Sequence, residues 1–197
     1  MYNLNMEKIG MINKPTICGI VAIGPFDVIG KNGVMPWYSR ADFYHFKTLT
    51  TSYPCIFGKT TFENLPNGPL PNRLNVVCSS RYKNEMIDGV FYADSLETAI
   101  KYCEKFDYIF VCGGSQIYKY AISQDLIDIM YLTKIYDEKL ADKVKLNPND
   151  YVKFPINTNE FFDSNKWISK RILYNENILP KENGNIITKF FKCMRVR

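Results

Sequence analysis

Short runs that are apolar at nearly every position alternate with amphipathic ones along most of the chain. "TICGIVAI" (Thr16 to Ile23) has almost no polar positions, which predicts a strand covered on both faces. Arg40 to Leu49 carries apolar residues at helical spacing. A strand at "PCIF" and one or two helical turns over Thr60 to Asn64 follow. "LNVVCSS" and "GVFYA" predict strands, Leu96 to Cys103 a helix, "YIFVC" a strand, Gln116 to Ile122 a helix and "IDIMYLTKI" a strand. Fully apolar strands separated by helices imply a central, mainly parallel, twisted sheet with helices on both faces.

The tail reads differently. "KWISKRILYN" and "IITKFFKCM", separated by the loop "ENILPKENGN", predict a C-terminal antiparallel hairpin on one edge of that sheet. The stretch "DEKLADKVKLNPNDYVKFP" is polar and irregular, so residues 137–152 are expected to form a surface insertion. The expected organisation is a single α/β domain over residues 16–197, preceded by a flexible polar arm, residues 1–15, that lacks the apolar core of a signal peptide.

Composition narrows the function classes. A chain of 197 residues buries a genuine core in one domain, and no apolar run approaches the roughly 18 residues of a membrane span. Cys18, Cys55, Cys78, Cys112 and Cys193 sit inside apolar, strand-like runs with no CxxC pair, the pattern of buried free thiols in a reducing, cytoplasmic setting. The single histidine, His45, reads as an ordinary helix-surface residue. It leaves a histidine-based metal site or a Ser-His-Asp triad without parts, so no metal is expected. The net charge of +5 is spread along the chain, which suits a small anionic ligand and supplies no basic stripe for nucleic acid.

Three strand ends carry anion-friendly residues. In "FVCGGSQIY", Gly113 and Gly114 lie between a strand and a helix, where they allow close backbone approach to a phosphate, although a tight structural turn explains them equally well and GxGxxG is absent. "FGKTTFENL" places Lys59, Thr60 and Thr61 at a second helix start, and "CSSRY" places Ser79, Ser80 and Arg81 after a third strand. Solvated loops account for any one of these. Together they fit a nucleotide lying along the edge of a parallel sheet.

One charge is out of place. Ser39 followed by Asp42 has the look of a helix cap, yet Asp42 shares the i, i+4, i+7 stripe of Phe46 and Leu49 that should face the core.

In combination, "ICGIVAI", "VIGKNGVMPW", "ADFYHFK", "FGKTTFENL", "GPLPNRLNVVCSS", "FVCGGSQIY" and "IMYLTKI" resemble the dihydrofolate reductase family, in family order over Ile17 to Ile135. The resemblance implies NADPH-dependent reduction of 7,8-dihydrofolate to tetrahydrofolate by a cytoplasmic, monomeric enzyme that binds antifolate inhibitors and needs neither nucleic acid nor membrane. It makes Asp42 the acid of the pteridine pocket, its pKa raised toward working pH by burial, with Thr133 hydrogen-bonded to it. Trp37 completes the implied catalytic set. Val21, Ala22, Phe46, Leu65, Cys112 and Tyr118 would wall the substrate pocket, and Arg73 would pair with the carboxylate of the glutamate tail. Ile29 to Trp37, with Gly30 and Gly33, would close over nicotinamide. The cofactor would also meet Ala22, Cys112, Lys59, Thr60, Thr61, Ser79, Ser80, Arg81 and the segment Gly113, Gly114, Ser115, Gln116, Ile117 and Tyr118. Lys59, Ser80 and Arg81 resemble a group that recognises a 2′-phosphate, and no acid placed to grip a free ribose hydroxyl is evident.

The chain also departs from the pattern. Cys112 stands where a branched aliphatic is common, Phe62 where tryptophan often occurs, and Leu65 replaces isoleucine. A related reductase acting on a pyrimidine of riboflavin synthesis would have little use for an Arg73 placed for a glutamate tail or for Asp42 following Met35-Pro36-Trp37, and Asp42 with Phe46 argues against a catalytically silent nucleotide-binding module.

Overall fold

The apolar run at the start of the pattern is the first strand, β1 (Thr16–Ile23), and its side chains alternate between two cores. Ile17, Val21 and Ile23 enter one, Cys18 and Ile20 the other, as the two-residue period of a doubly covered strand requires. The structure is a computed structural model and describes residues 14–82, 84–174 and 186–196. The polar arm up to residue 13 and the hairpin loop "ENILPKENGN" lie outside the described residues.

After β1 come β2 (Val28–Gly30), α1 (Arg40–Thr50), β3 (Pro54–Gly58), α2 (Lys59–Glu63), β4 (Leu74–Cys78), β5 (Glu85–Ile87), β6 (Val90–Ala93) and α3 (Leu96–Tyr102). The chain continues through β7 (Tyr108–Val111), α4 (Ser115–Ser123), β8 (Ile129–Tyr136), α5 (Glu138–Leu146), β9 (Val152–Lys153), β10 (Trp167–Ile172) and β11 (Ile187–Arg195). The main sheet has the order β10-β11-β8-β1-β7-β3-β4-β6-β5. Its central strands, β8 through β6, pair in parallel, while β10 and β11 form the expected antiparallel hairpin against β8. The short strand β5 adds an antiparallel edge on the far side, and β2 pairs with β9 in a separate ribbon. Residues of α3 and α4 pack into one core, and residues of α1 and α2 into the other, so helices cover both faces.

Two expectations are corrected. Residues 137–152 are not irregular: Asp137 accepts a hydrogen bond from the Leu140 backbone N–H at 3.0 Å and starts α5, whose Leu140 and Val144, four residues apart, are buried with Val28, Trp37 and Ile135. His45 is not a surface residue. It is 1% exposed, its ring 4.5 Å from that of Phe190, its Nδ1 hydrogen-bonded to the Tyr174 hydroxyl and its Nε2 without a partner among the described residues. The hairpin covers that face of α1, which a helical pattern by itself does not reveal. Burial pushes the imidazole pKa down to about 4.

Parallel pairing aligns the strand ends that position the site. Gly58 is the register partner of Cys78, and Cys78 of Ala93. Val111 pairs with Gly19, so β1 runs on past the point where β7 turns away at Gly113. Among the described residues no helix is long and apolar enough to cross a membrane.

Candidate active site

Helix α1 begins at the open edge of the sheet because Ser39 caps it: the Ser39 Oγ accepts from the Asp42 N–H at 3.0 Å. The cap fixes Asp42 in the first turn, where it is 8% exposed and is the one buried carboxylate among the described residues. Tyr118, on α4, is buried within reach of its charge. Burial above all pushes the Tyr118 phenol up, with Cys112 and then Asp42 adding to the shift. The Tyr118 hydroxyl donates to the Ile20 carbonyl at 2.6 Å, which fixes the ring beside β1.

The other end of α1 holds a cation. Arg73 follows Asn72, whose φ of 57° makes the turn, and its guanidinium lies 5.9 Å from the centre of the Phe46 ring. Its Nε donates to Thr50 Oγ1 at 2.9 Å and its Nη1 to the Pro71 carbonyl at 2.8 Å, while Thr50 in turn donates to the Phe46 carbonyl. Asp42 and Thr50 are eight residues apart, so the helix separates the acid from the arginine's anchor by about 12 Å. Between them Phe46, Leu65 and Cys112 share one apolar cluster, joined by Leu70, which the sequence did not single out. Burial raises the Cys112 thiol well above its ordinary range, so it serves there as a small apolar wall.

Other sequence-predicted residues sit apart from that cluster. Val21 packs into the core on the opposite face, and Ala22 packs with Trp37. Thr133 is buried on β8 opposite Ala22. Trp37 is buried near Gly24 and Leu140, with its indole N–H unpartnered among the described residues. Ile29 and Gly30 belong to β2, and Gly33, at φ 83°, lies so close to Asn64 that an added Cβ would come within 2.7 Å of its amide nitrogen.

The glycine pair at the end of β7 is built for close approach. Gly113 has a φ of 104°, and its carbonyl accepts from the Gly58 N–H at 2.6 Å, locking two strand ends together. A Cβ on Gly113 would come 2.9 Å from Tyr118, and one on Gly114 would come 2.7 Å from Thr61 Oγ1. Helices α2 and α4 start at Gly58 and Gly114 with no capping side chain, which leaves their first N–H groups to an anionic ligand. Ser115 donates to the Lys153 carbonyl, and exposed Thr60 and Gln116 flank the same edge. This narrow cradle fits the diphosphate of a dinucleotide.

Beyond it, Ser79, Ser80, Leu96 and Ile117 line a cavity of about 330 Å³. Asp94 and Glu97 line it too, acids the sequence reading did not find because they follow a different strand, β6. Lys59 does not line it: its Nζ lies 3.5 Å from Glu63 and 5.8 Å from the centre of the Tyr82 ring, and Arg81 is exposed.

Known proteins share this fold. The family model described as dihydrofolate reductase matches residues 16–175. Dihydrofolate reductase of Candida albicans is 31% identical over 156 residues, covering 74% of this chain and 80% of the relative. Dihydrofolate reductase of Haemophilus influenzae is 39% identical over 123 residues, covering 62% of this chain and 74% of that one. In three dimensions, an Enterococcus faecalis dihydrofolate reductase solved with NADP(H) and the ligand RAB-propyl superposes with a TM-score of 0.67 at 24% identity, covering 91% of this chain and 96% of that one. With a glycine cradle and a capped buried acid at the C-terminal ends of its parallel strands, an anchored arginine at the far end of α1, and a sequence that matches for most of its length, the chain belongs to the dihydrofolate reductase family.

Proposed function

We propose that residues 16–197 form the catalytic domain of an enzyme that reduces 7,8-dihydrofolate to 5,6,7,8-tetrahydrofolate with NADPH. The observation that carries this reading is a buried carboxylate, Asp42, in the first turn of α1 and a guanidinium, Arg73, anchored to Thr50 in its last turn, about 12 Å along the helix. A ligand with a hydrogen-bond donor edge at one end and a carboxylate at the other fits that spacing, with Phe46, Leu65 and Cys112 against its middle.

NADPH, when bound, supplies the hydride that C6 of the pterin receives, while N5 gains a proton and the cofactor leaves as NADP+. The chain contributes the rest. Asp42 accepts hydrogen bonds from the 2-amino group and N3 and assists protonation of the ring, Arg73 fixes the tail carboxylate, and the apolar walls exclude water. The glycine cradle and the N-termini of α2 and α4 hold the diphosphate, with Lys59, Ser79, Ser80 and Arg81 at the adenosine end. Ile29 to Trp37 borders the nicotinamide side and closes over it. The enzyme is monomeric and cytoplasmic, and antifolates occupy the Asp42 pocket.

The test follows NADPH oxidation by its near-ultraviolet absorbance, with and without dihydrofolate, for the natural protein and Asp42→Asn. Dihydrofolate-dependent oxidation that the variant loses while still binding NADPH supports the reading. Oxidation indifferent to dihydrofolate sinks it.

A further inference from the structure

The C-terminal hairpin touches α1 on both sides of Asp42. Three residues before the acid, Ser39 Oγ accepts the Asp42 N–H at 3.0 Å and shares a hydrogen bond of 3.3 Å with Thr188 Oγ1 on β11. Three residues after it, the His45 ring packs against Phe190 of the same strand, and its Nδ1 is hydrogen-bonded to the Tyr174 hydroxyl just beyond β10. Thr188 and Phe190 are two positions apart, so one face of β11 supplies both contacts. Ser39 and His45 are both buried, and the Tyr174 ring stands edge-on to His45 and Phe190.

A serine hydroxyl carries one proton and two lone pairs on a freely turning bond. The Asp42 N–H takes one lone pair of Ser39, and the bond to Thr188 stops the rotor. Helix ends fray when such a cap is loose, and Asp42 lies in the turn that would fray. A residue 149 positions along the chain therefore steadies the backbone that carries the buried acid.

We infer that the hairpin sets the position of the Asp42 carboxylate, with Thr188 and Tyr174 as positioning residues that act through Ser39 and His45. The kinetic consequence rests on the reductase reading above. The coupling of the hairpin to the first turn of α1 is measurable without it.

Thr188→Val and Tyr174→Phe in the full chain each remove one hydroxyl and keep the side chain's shape. Hydrogen exchange at the Asp42 amide should quicken about threefold to tenfold, and kcat/KM for dihydrofolate should fall by a similar factor, while KM for NADPH stays within about twofold. Thr188→Ser, which keeps the hydroxyl, should return both to the natural values. A role confined to fold stability would lower Tm and leave these two quantities unchanged. Calorimetry adds the coupling: in an Asp42→Asn background, Thr188→Val should shift the Kd for dihydrofolate less than about twofold, because the residue it acts through has already lost its charge. Unchanged exchange at Asp42, unchanged kcat/KM in an active enzyme, or an affinity loss as large with Asp42→Asn as without it overturns the inference. Quickened exchange in a protein without dihydrofolate-dependent turnover keeps the clasp on α1 and removes the reaction.

Discussion

Asp42 and His45 are one helical turn apart on α1, and they met opposite fates in the sequence reading. Asp42 was legible because its charge interrupts an apolar stripe, a conflict visible in the local pattern alone. His45 was not, because what buries it is Phe190 and Tyr174, far away in sequence. The histidine has a consequence for stability. In the unfolded chain it protonates near pH 6.5, in the folded one only near pH 4, so between those values the unfolded state binds the extra proton. Stability therefore falls as pH drops from about 6.5 to about 4, by up to about 3 kcal/mol. Urea unfolding across that range should show the loss, and His45→Gln should flatten it. At Arg73 the fork geometry matters as well as the charge. Arg73→Lys is expected to raise KM for dihydrofolate about tenfold or more with a smaller change in kcat, because a lysine cannot hold Thr50 and a carboxylate together.

Among the elements, α5 was the hardest to read. Lysines and acids fill it, and only Leu140 and Val144, under the Asp137 cap, betray an amphipathic helix. The two- and three-residue strands β2, β5 and β9 are too short to show any alternation. By contrast the central strands were readable from their uninterrupted apolar runs. Helix α5 closes a small satellite core around Trp37, so Leu140→Ala should cost about 3 kcal/mol in denaturant unfolding. The same variant should loosen the chain around Trp37, read as faster hydrogen exchange at Val28, which is buried in that core and whose N–H donates to the Pro25 carbonyl.

For the whole molecule, parallel strands and the C-terminal hairpin were legible, but the order β8-β1-β7-β3-β4-β6 was not, since hydrophobic periodicity says nothing about neighbours. That order is what brings Gly58, Cys78 and Gly113 to one edge. A ligand lying across it ties separate strands together, so NADPH at a hundred times its Kd should add about 2.7 kcal/mol to unfolding stability. A rise in Tm that grows with the logarithm of cofactor concentration is the measurement.

The six free cysteines give the fold a built-in clock. Burial pushes the thiols of Cys18 and Cys103 up to about 12, so an alkylating reagent finds almost no thiolate while the chain stays folded. Modification then records openings. Cys193 marks the release of β11, Cys103 the lifting of α3, Cys18 the parting of the central strands, and the order in which mass spectrometry finds them labelled is the order in which the molecule comes apart.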